Sequence, residues 1–107
     1  MQNNLYDYLR RAVQSKEFLY LLEECGGIYQ NGFVTWTKFL SDDESVVDEE
    51  DIVYAIDINR EKIYLLNREN QVPGQGKLVT SQELADELYK SISSRISILS
   101  TLKSKTL

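Results

Sequence analysis

The chain has 107 residues, of which 42% are hydrophobic and 27% charged, and this predicts one globular domain over residues 1–107. It contains no His and one cysteine, Cys25, which argues against nucleophile–His–acid catalysis, the common zinc sites and an internal disulfide. The formal net charge of −5 argues against general nucleic-acid binding.

Residues 1–25 are predicted to be helical, because apolar residues recur there at spacings of three and four. Asn3 or Asn4 is a candidate N-cap. The apolar stripe is interrupted near Ser15, which is a candidate cap for a second helix, so the pattern allows one long helix or two with a bend. Gly26 is expected to end the helical region, because glycine adopts the left-handed conformation without a Cβ clash.

The middle of the chain is predicted to be a set of antiparallel strands. Asn31-Gly32 indicates a two-residue type I′ turn before a strand over 33–40, which is rich in aromatic and β-branched residues. In residues 52–58, large apolar residues occupy every second position, a polar turn follows at 59–61, and a second strand-like segment covers 62–67. These two segments are expected to form a hairpin.

After a predicted loop over residues 67–77, a long helix is expected to end the domain. Thr80 and Glu83 fit a capping box, in which both side chains bind backbone N–H groups. Apolar residues then follow on one face, and we expect residues 103–107 to fray. The predicted fold is α+β: one or two N-terminal helices, a three- to four-stranded antiparallel meander and a long C-terminal helix, in a two-layer sandwich.

An acidic loop is predicted over residues 41–51, between two of the strands. Seven of the 17 acidic residues lie in this loop without a basic residue: Asp42, Asp43, Glu44, Asp48, Glu49, Glu50 and Asp51. The loop has no central Gly and no alternating oxygen ligands, so the calcium-loop pattern fails and we predict no metal site. Its carboxylates instead suit a basic surface on a protein partner, as in inhibitors that mimic DNA. A solvated loop that protects a sheet edge is the alternative.

Three aromatic residues are further candidates for partner binding. Trp36, Tyr54 and Tyr64 lie on neighbouring predicted strands, where they could form an exposed platform for a base, a peptide or a protein. Packing within the sheet core is the alternative.

Self-association is predicted through the C-terminal helix. Its apolar residues extend beyond one face, which allows one side to pack on the domain and another on a second chain. The predicted homodimer interface consists of Leu88, Ile92, Ile96 and Leu99.

Two residues were considered for catalysis and are assigned structural roles. Cys25 follows two glutamates at the end of a helix, and both features raise a thiol pKa, so we expect a small buried hydrophobe. Asp57 lies in an Ile- and Val-rich strand, where it is expected to face solvent or to accept hydrogen bonds from the following turn. We therefore predict no catalytic residues and no cofactor.

No feature of a membrane or secreted protein is evident in the sequence. The longest apolar runs, such as 18–22, are five residues, whereas a membrane-spanning helix needs about 20. The first residues lack the basic and apolar regions of a signal peptide. Together with the single thiol, these observations predict a cytoplasmic protein.

The order of the predicted segments along the chain can also be compared with that of known proteins. A helix ends in Glu-Glu-Cys-Gly-Gly and is followed by Asp-Ile-Val-Tyr-Ala-Ile-Asp, a turn, Lys-Ile-Tyr-Leu-Leu, a loop and a helix that starts Ser-Gln-Glu-Leu. Over about half of the chain, this order resembles the layout of SUKH-type immunity proteins, which neutralise toxins. The resemblance implies toxin neutralisation as one function to consider.

The leading hypothesis is a small non-enzymatic binding or regulatory protein that recognises a protein partner through the acidic loop. An immunity- or inhibitor-type protein that neutralises a toxin or nuclease is one alternative. A small carboxylate-dependent enzyme or small-ligand-binding domain, with a pocket between sheet and helices, is another. We expect no direct contact with nucleic acid or membranes.

Overall fold

The computed structural model describes residues 5–38, 52–66 and 76–105, which form three helices and one five-stranded sheet. The helices are α1 (Leu5–Ala12), α2 (Lys16–Glu24) and α3 (Gln82–Lys105). The strands are β1 (Ile28–Gln30), β2 (Phe33–Lys38), β3 (Ile52–Asp57), β4 (Lys62–Leu66) and β5 (Lys77–Leu78). The predicted α+β class is confirmed, with more strands than the three or four expected.

The sheet is an antiparallel meander in which the strands lie side by side in chain order. The predicted type I′ turn is confirmed, because Asn31 (φ 54°) and Gly32 (φ 83°) both have positive φ. The hairpin predicted between β3 and β4 is also confirmed. Lys77 and Leu78, at the end of the predicted loop and just beyond it, instead form β5 beside β4.

The N-terminal region consists of two helices rather than one long helix, which was the other alternative that the sequence allowed. Ser15 lies between them in an extended conformation, and its side chain accepts a hydrogen bond from the Phe18 N–H at 3.3 Å. Gly26 follows the second helix with φ +86°, as expected for a helix C-terminus. The proposed caps Asn3 and Asn4 lie outside the described residues.

All three helices pack against one face of the sheet, which confirms the two-layer arrangement. The strands contribute one set of alternate side chains to the hydrophobic core, and these are Val34, Trp36, Tyr54, Ile56 and Ile63. The largest fully buried helical side chains are Leu5, Leu9, Leu22, Leu88 and Ile92. Because cross-strand partners share a face, the second set of alternate side chains lies on the opposite face of the sheet.

The start of α3 differs from the predicted capping box. Ser81 is the capping residue, because its Oγ accepts the Leu84 N–H at 3.1 Å. Thr80 instead bonds to the neighbouring strand: its hydroxyl accepts the Ile63 N–H at 2.6 Å and donates to the Ile63 carbonyl oxygen at 3.4 Å. The capping-box prediction was wrong because the chain is still held to the sheet at Thr80.

The apolar stripe of α3 is covered within the chain. Leu88 and Ile92 have no exposed surface and Ile96 is 9% exposed, while Leu99 is partly buried against the same core. The predicted homodimer interface of Leu88, Ile92, Ile96 and Leu99 is therefore corrected, because these side chains are used to hold the helix on the sheet. The large apolar residues that α3 exposes are Ile98 and Leu102.

The last turns of α3 are attached to α2. The helix continues through Lys105, whereas fraying was expected from residue 103 onwards. Lys103 lies 2.7 Å from the Glu24 carboxylate, and its ammonium group lies 4.8 Å from the centre of the Tyr20 ring. These contacts anchor the helix end.

Candidate functional site

The two strands that flank the acidic segment in the sequence are described, but the segment itself is not. Its residues Asp42, Asp43, Glu44, Asp48, Glu49, Glu50 and Asp51 lie outside the described residues. The strands on either side of it are described, and Lys38 at the end of β2 is paired with Ile52 at the start of β3. The opposite end of β3 leads to the turn that contains Arg60. The strand ends that flank the acidic segment and the Arg60 turn are therefore at opposite ends of the sheet.

Two of the three aromatic residues predicted to bind a partner belong to the core. Trp36 is 5% exposed and Tyr54 is 8% exposed, and they are paired across β2 and β3 on the helix-covered face. The Trp36 indole N–H donates to the Ser91 hydroxyl of α3 at 3.2 Å. The predicted exposed platform is therefore wrong for Trp36 and Tyr54. Tyr64 is half-buried and lies on the opposite face.

That opposite face carries a row of side chains across all five strands. The register pairs Ile28 with Thr35, Thr35 with Ala55, Ala55 with Tyr64, and Tyr64 with Leu78. Among the described residues, no helix packs on this face, which we call the open face. Ile28 and Leu78, at the two ends of the row, are 53% and 52% exposed. Ile28 and Leu78 are therefore two separate exposed apolar sites, one at each edge of this face.

Two aromatic rings lie at the centre of the open face. The ring centres of Phe33 and Tyr64 are 6.3 Å apart at an angle of 54°. These two residues lie on the strands that flank Ala55, which has no exposed surface although it is on the open face. Sequence reasoning missed Phe33, although its position next to the predicted turn and out of step with Val34 would have placed it on this face.

Asp57 is the one charged residue of the open face that is buried in the described structure, at 3% exposed. Its carboxylate accepts hydrogen bonds from the backbone N–H of Arg60 at 3.0 Å and from the Arg60 guanidinium at 3.2 Å. This confirms the expectation that it accepts hydrogen bonds from the following turn. The carboxylate is occupied in shaping the turn, so the geometry gives no support to a catalytic role.

Cys25 has the properties expected of a structural thiol. It lies at the end of α2, is partly buried and forms no disulfide. Burial raises the pKa of the thiol, and nearby Glu24 raises it further, whereas Arg95 acts in the opposite direction. The expected direction is confirmed, with burial as the largest cause. A thiol that ionises less readily is a poor nucleophile.

A shallow groove lies on the helical side of the molecule. Its volume is about 530 Å³, and it lies between the start of α2 and the second half of α3. Tyr8 separates it from a depression of about 470 Å³ that is bordered by Arg11, Ala12 and Tyr89. The Tyr8 and Tyr89 ring centres are 5.2 Å apart, so the two rings support each other. Burial raises the pKa of Tyr8, and the neighbouring Tyr89 adds to this effect. The groove is wide open to solvent.

The described residues contain no group of three or more His, Cys, Asp or Glu side chains that could hold a metal ion. No described helix is long and apolar enough to cross a membrane. Comparisons of the chain with protein-family models, with curated proteins and with solved structures find no match.

Proposed function

We propose that this protein is a small binding protein that recognises a protein partner through the open face of its sheet. The observation that supports this most strongly is the row that ends in Ile28 and Leu78, both about half exposed on a face where no described helix packs. The backbone of a strand residue is already ordered in the folded protein, so a partner that covers its side chain opposes mainly the entropy of that side chain.

The magnitude of the gain can be worked out for Leu78. Full burial of a leucine side chain contributes about 1.5–3 kcal/mol. Leu78 retains 52% of its exposure, so a partner that covers it gains about half of that, or about 1 kcal/mol. Tyr64 and Phe33 provide further apolar surface in the centre of the face. Several such contacts together give a specific but modest affinity.

The acidic segment determines which partners fit this face. Residues 42–51 carry seven acidic side chains and are attached to the sheet at Lys38 and Ile52. A partner with an apolar patch and a neighbouring basic surface would be attracted by this charge. The predicted toxin- or nuclease-neutralising function is one case of this proposal, because nucleases carry basic surfaces that bind nucleic acid.

The test is a quantitative capture from a lysate of the cells that produce the protein, followed by mass spectrometry. Leu78→Lys places a charge at the end of the row, and it should reduce recovery of the specific partner about tenfold or more. Ile98→Lys is the matched control, because Ile98 on α3 is exposed to nearly the same extent, at 54%. Equal recovery with both variants, or no protein retained above background, would contradict the proposal.

A second variant tests the contribution of the acidic segment. Replacement of Asp48, Glu49, Glu50 and Asp51 by Asn and Gln should slow association and weaken its salt dependence. The thermal stability should remain nearly unchanged. An association rate equal to that of the wild type at all salt concentrations would limit the proposal to the open face.

A further inference from the structure

β1 is an edge strand without the features that usually prevent strand pairing. It is the first strand in the sheet, and Ile28, Tyr29 and Gln30 are all exposed. None of them is charged and none is proline, although charge and proline are common means of protecting an edge. The other edge strand, β5, has only two residues, one of which is Lys77.

The backbone of Tyr29 faces the unoccupied side of this edge. Gln30 and Phe33 close the two-residue turn, and the Ile28 N–H points towards β2, where the Thr35 hydroxyl accepts it at 3.1 Å. Because successive residues of a strand direct their backbone groups to opposite sides, the Tyr29 N–H and C=O point away from β2. Among the described residues, no strand lies on that side of β1.

The exposed side chains of β1 also favour contact along the edge. Ile28 is 53% exposed and lies on the open face, whereas Tyr29 is 39% exposed and lies on the helix-covered face. A partner docked on one face of the sheet would cover one of them. A strand placed beside β1 would contact both, because its own side chains alternate between the same two faces.

We propose that β1 pairs in antiparallel fashion with β1 of a second copy of this chain, so that the two sheets become continuous. A two-fold axis at Tyr29 satisfies this arrangement, because a residue on the axis exchanges both backbone hydrogen bonds with its own copy. Ile28 of each copy then lies opposite Gln30 of the other.

The distribution of charge is compatible with this dimer. Each copy has a net charge of −5, and seven acidic residues lie between Lys38 and Ile52. In an antiparallel pair, the Lys38–Ile52 ends of the two sheets, which flank this segment, lie at opposite ends of the dimer. A three-residue pairing buries less than the roughly 1,200 Å² of a stable interface, so the dimer is weak and reversible.

The test is sedimentation equilibrium between about 10 μM and about 1 mM protein, a range in which weak interfaces are populated. The mass of the wild type should rise with concentration from 12.4 kDa towards twice that value. Tyr29→Pro removes the outward N–H but no bond to β2, and edge strands tolerate proline at such positions. This variant should remain a monomer. Ile98→Lys should associate like the wild type.

Tyr29→Lys provides a second variant if proline disturbs folding, because it keeps the N–H and places like charges next to each other on the axis. It should also remain a monomer, and a circular dichroism melt checks its fold. Wild-type protein that stays at 12.4 kDa at the highest concentration overturns the proposal. So does association that survives both Tyr29 variants, or that is lost in Leu78→Lys, since this would assign the contact to the open face.

Discussion

Leu88 allows the packing of α3 on the sheet to be tested with a single substitution. Its side chain has no exposed surface and belongs to the core between the helices and the sheet. Leu88→Ala removes buried carbon atoms and leaves a cavity that a sheet and two further helices cannot readily fill. Substitutions of this kind cost about 2–5 kcal/mol, and the complete burial of Leu88 places the expected loss at about 3 kcal/mol. This loss is about a third of the free energy of unfolding of a typical domain, which is on the order of 10 kcal/mol.

Urea unfolding measures this loss. With a slope of about 1.5 kcal/mol per M, typical of a small protein, a loss of about 3 kcal/mol lowers the midpoint by about 2 M. Ile98→Ala is the control, because Ile98 is 54% exposed on the same helix. Its effect should be below about 0.5 kcal/mol. Equal midpoints for the wild type and Leu88→Ala, or equal shifts for the two variants, would refute the assignment of the buried face.

Three further outcomes are expected. Ser81→Ala should lower the free energy of unfolding by about 1 kcal/mol, because the Ser81 hydroxyl caps α3, and an effect no larger than that of Gln82→Ala in urea would contradict this. Tyr6→Phe should not destabilise the protein at neutral pH, because the buried Tyr6 hydroxyl has no hydrogen-bond partner in the part of the chain that the structure describes. Burial raises the pKa of Tyr6 to about 12, so the Tyr6 hydroxyl ionises at a lower pH in the unfolded state than in the folded state. The wild type should therefore lose stability from about pH 10 upwards. Thermal melts over this pH range should show a smaller loss for Tyr6→Phe. Cys25 should react with iodoacetamide more slowly than an exposed cysteine at about pH 8, because burial raises its thiol pKa, and equal rates would contradict this.

Features of the fold that depend on local backbone preferences could be predicted from the sequence. Asn31-Gly32 has the positive φ angles that a type I′ turn requires, and Ser15 caps the second helix. Gly26 follows the second helix in the left-handed conformation. Each of these residues acts through its own φ or through a side chain that bonds three residues away, so no tertiary contact has to be known.

Features that depend on tertiary pairing could not be predicted in the same way. Thr80 fits a helix cap by sequence, but its hydroxyl bonds to Ile63 of β4, which is 17 residues away. The two-residue β5 is too short to show an alternating pattern, and it exists because β4 provides backbone partners for Lys77 and Leu78.

The positions of the aromatic residues could be predicted from the sequence only in part. Tyr54 alternates in step with Ile56, which indicates the core face, whereas Tyr64 is out of step with Ile63, which indicates the opposite face. The alternation of side chains along each strand therefore assigns the two tyrosines to opposite faces of the sheet. It could not show that none of the described helices packs on the open face, because that depends on how these helices pack against one another and on the sheet.

The affinity of the captured partner for two matched variants tests the proposed function most directly. Leu78 and Ile98 are exposed to nearly the same extent, 52% and 54%, but only Leu78 lies on the open face. Titration calorimetry should show that Leu78→Lys raises the Kd about tenfold or more, since covering Leu78 contributes about 1 kcal/mol and a buried lysine charge adds to the loss. Ile98→Lys should change the Kd less than about twofold. Equal Kd values for the two variants would show that the partner does not bind the open face.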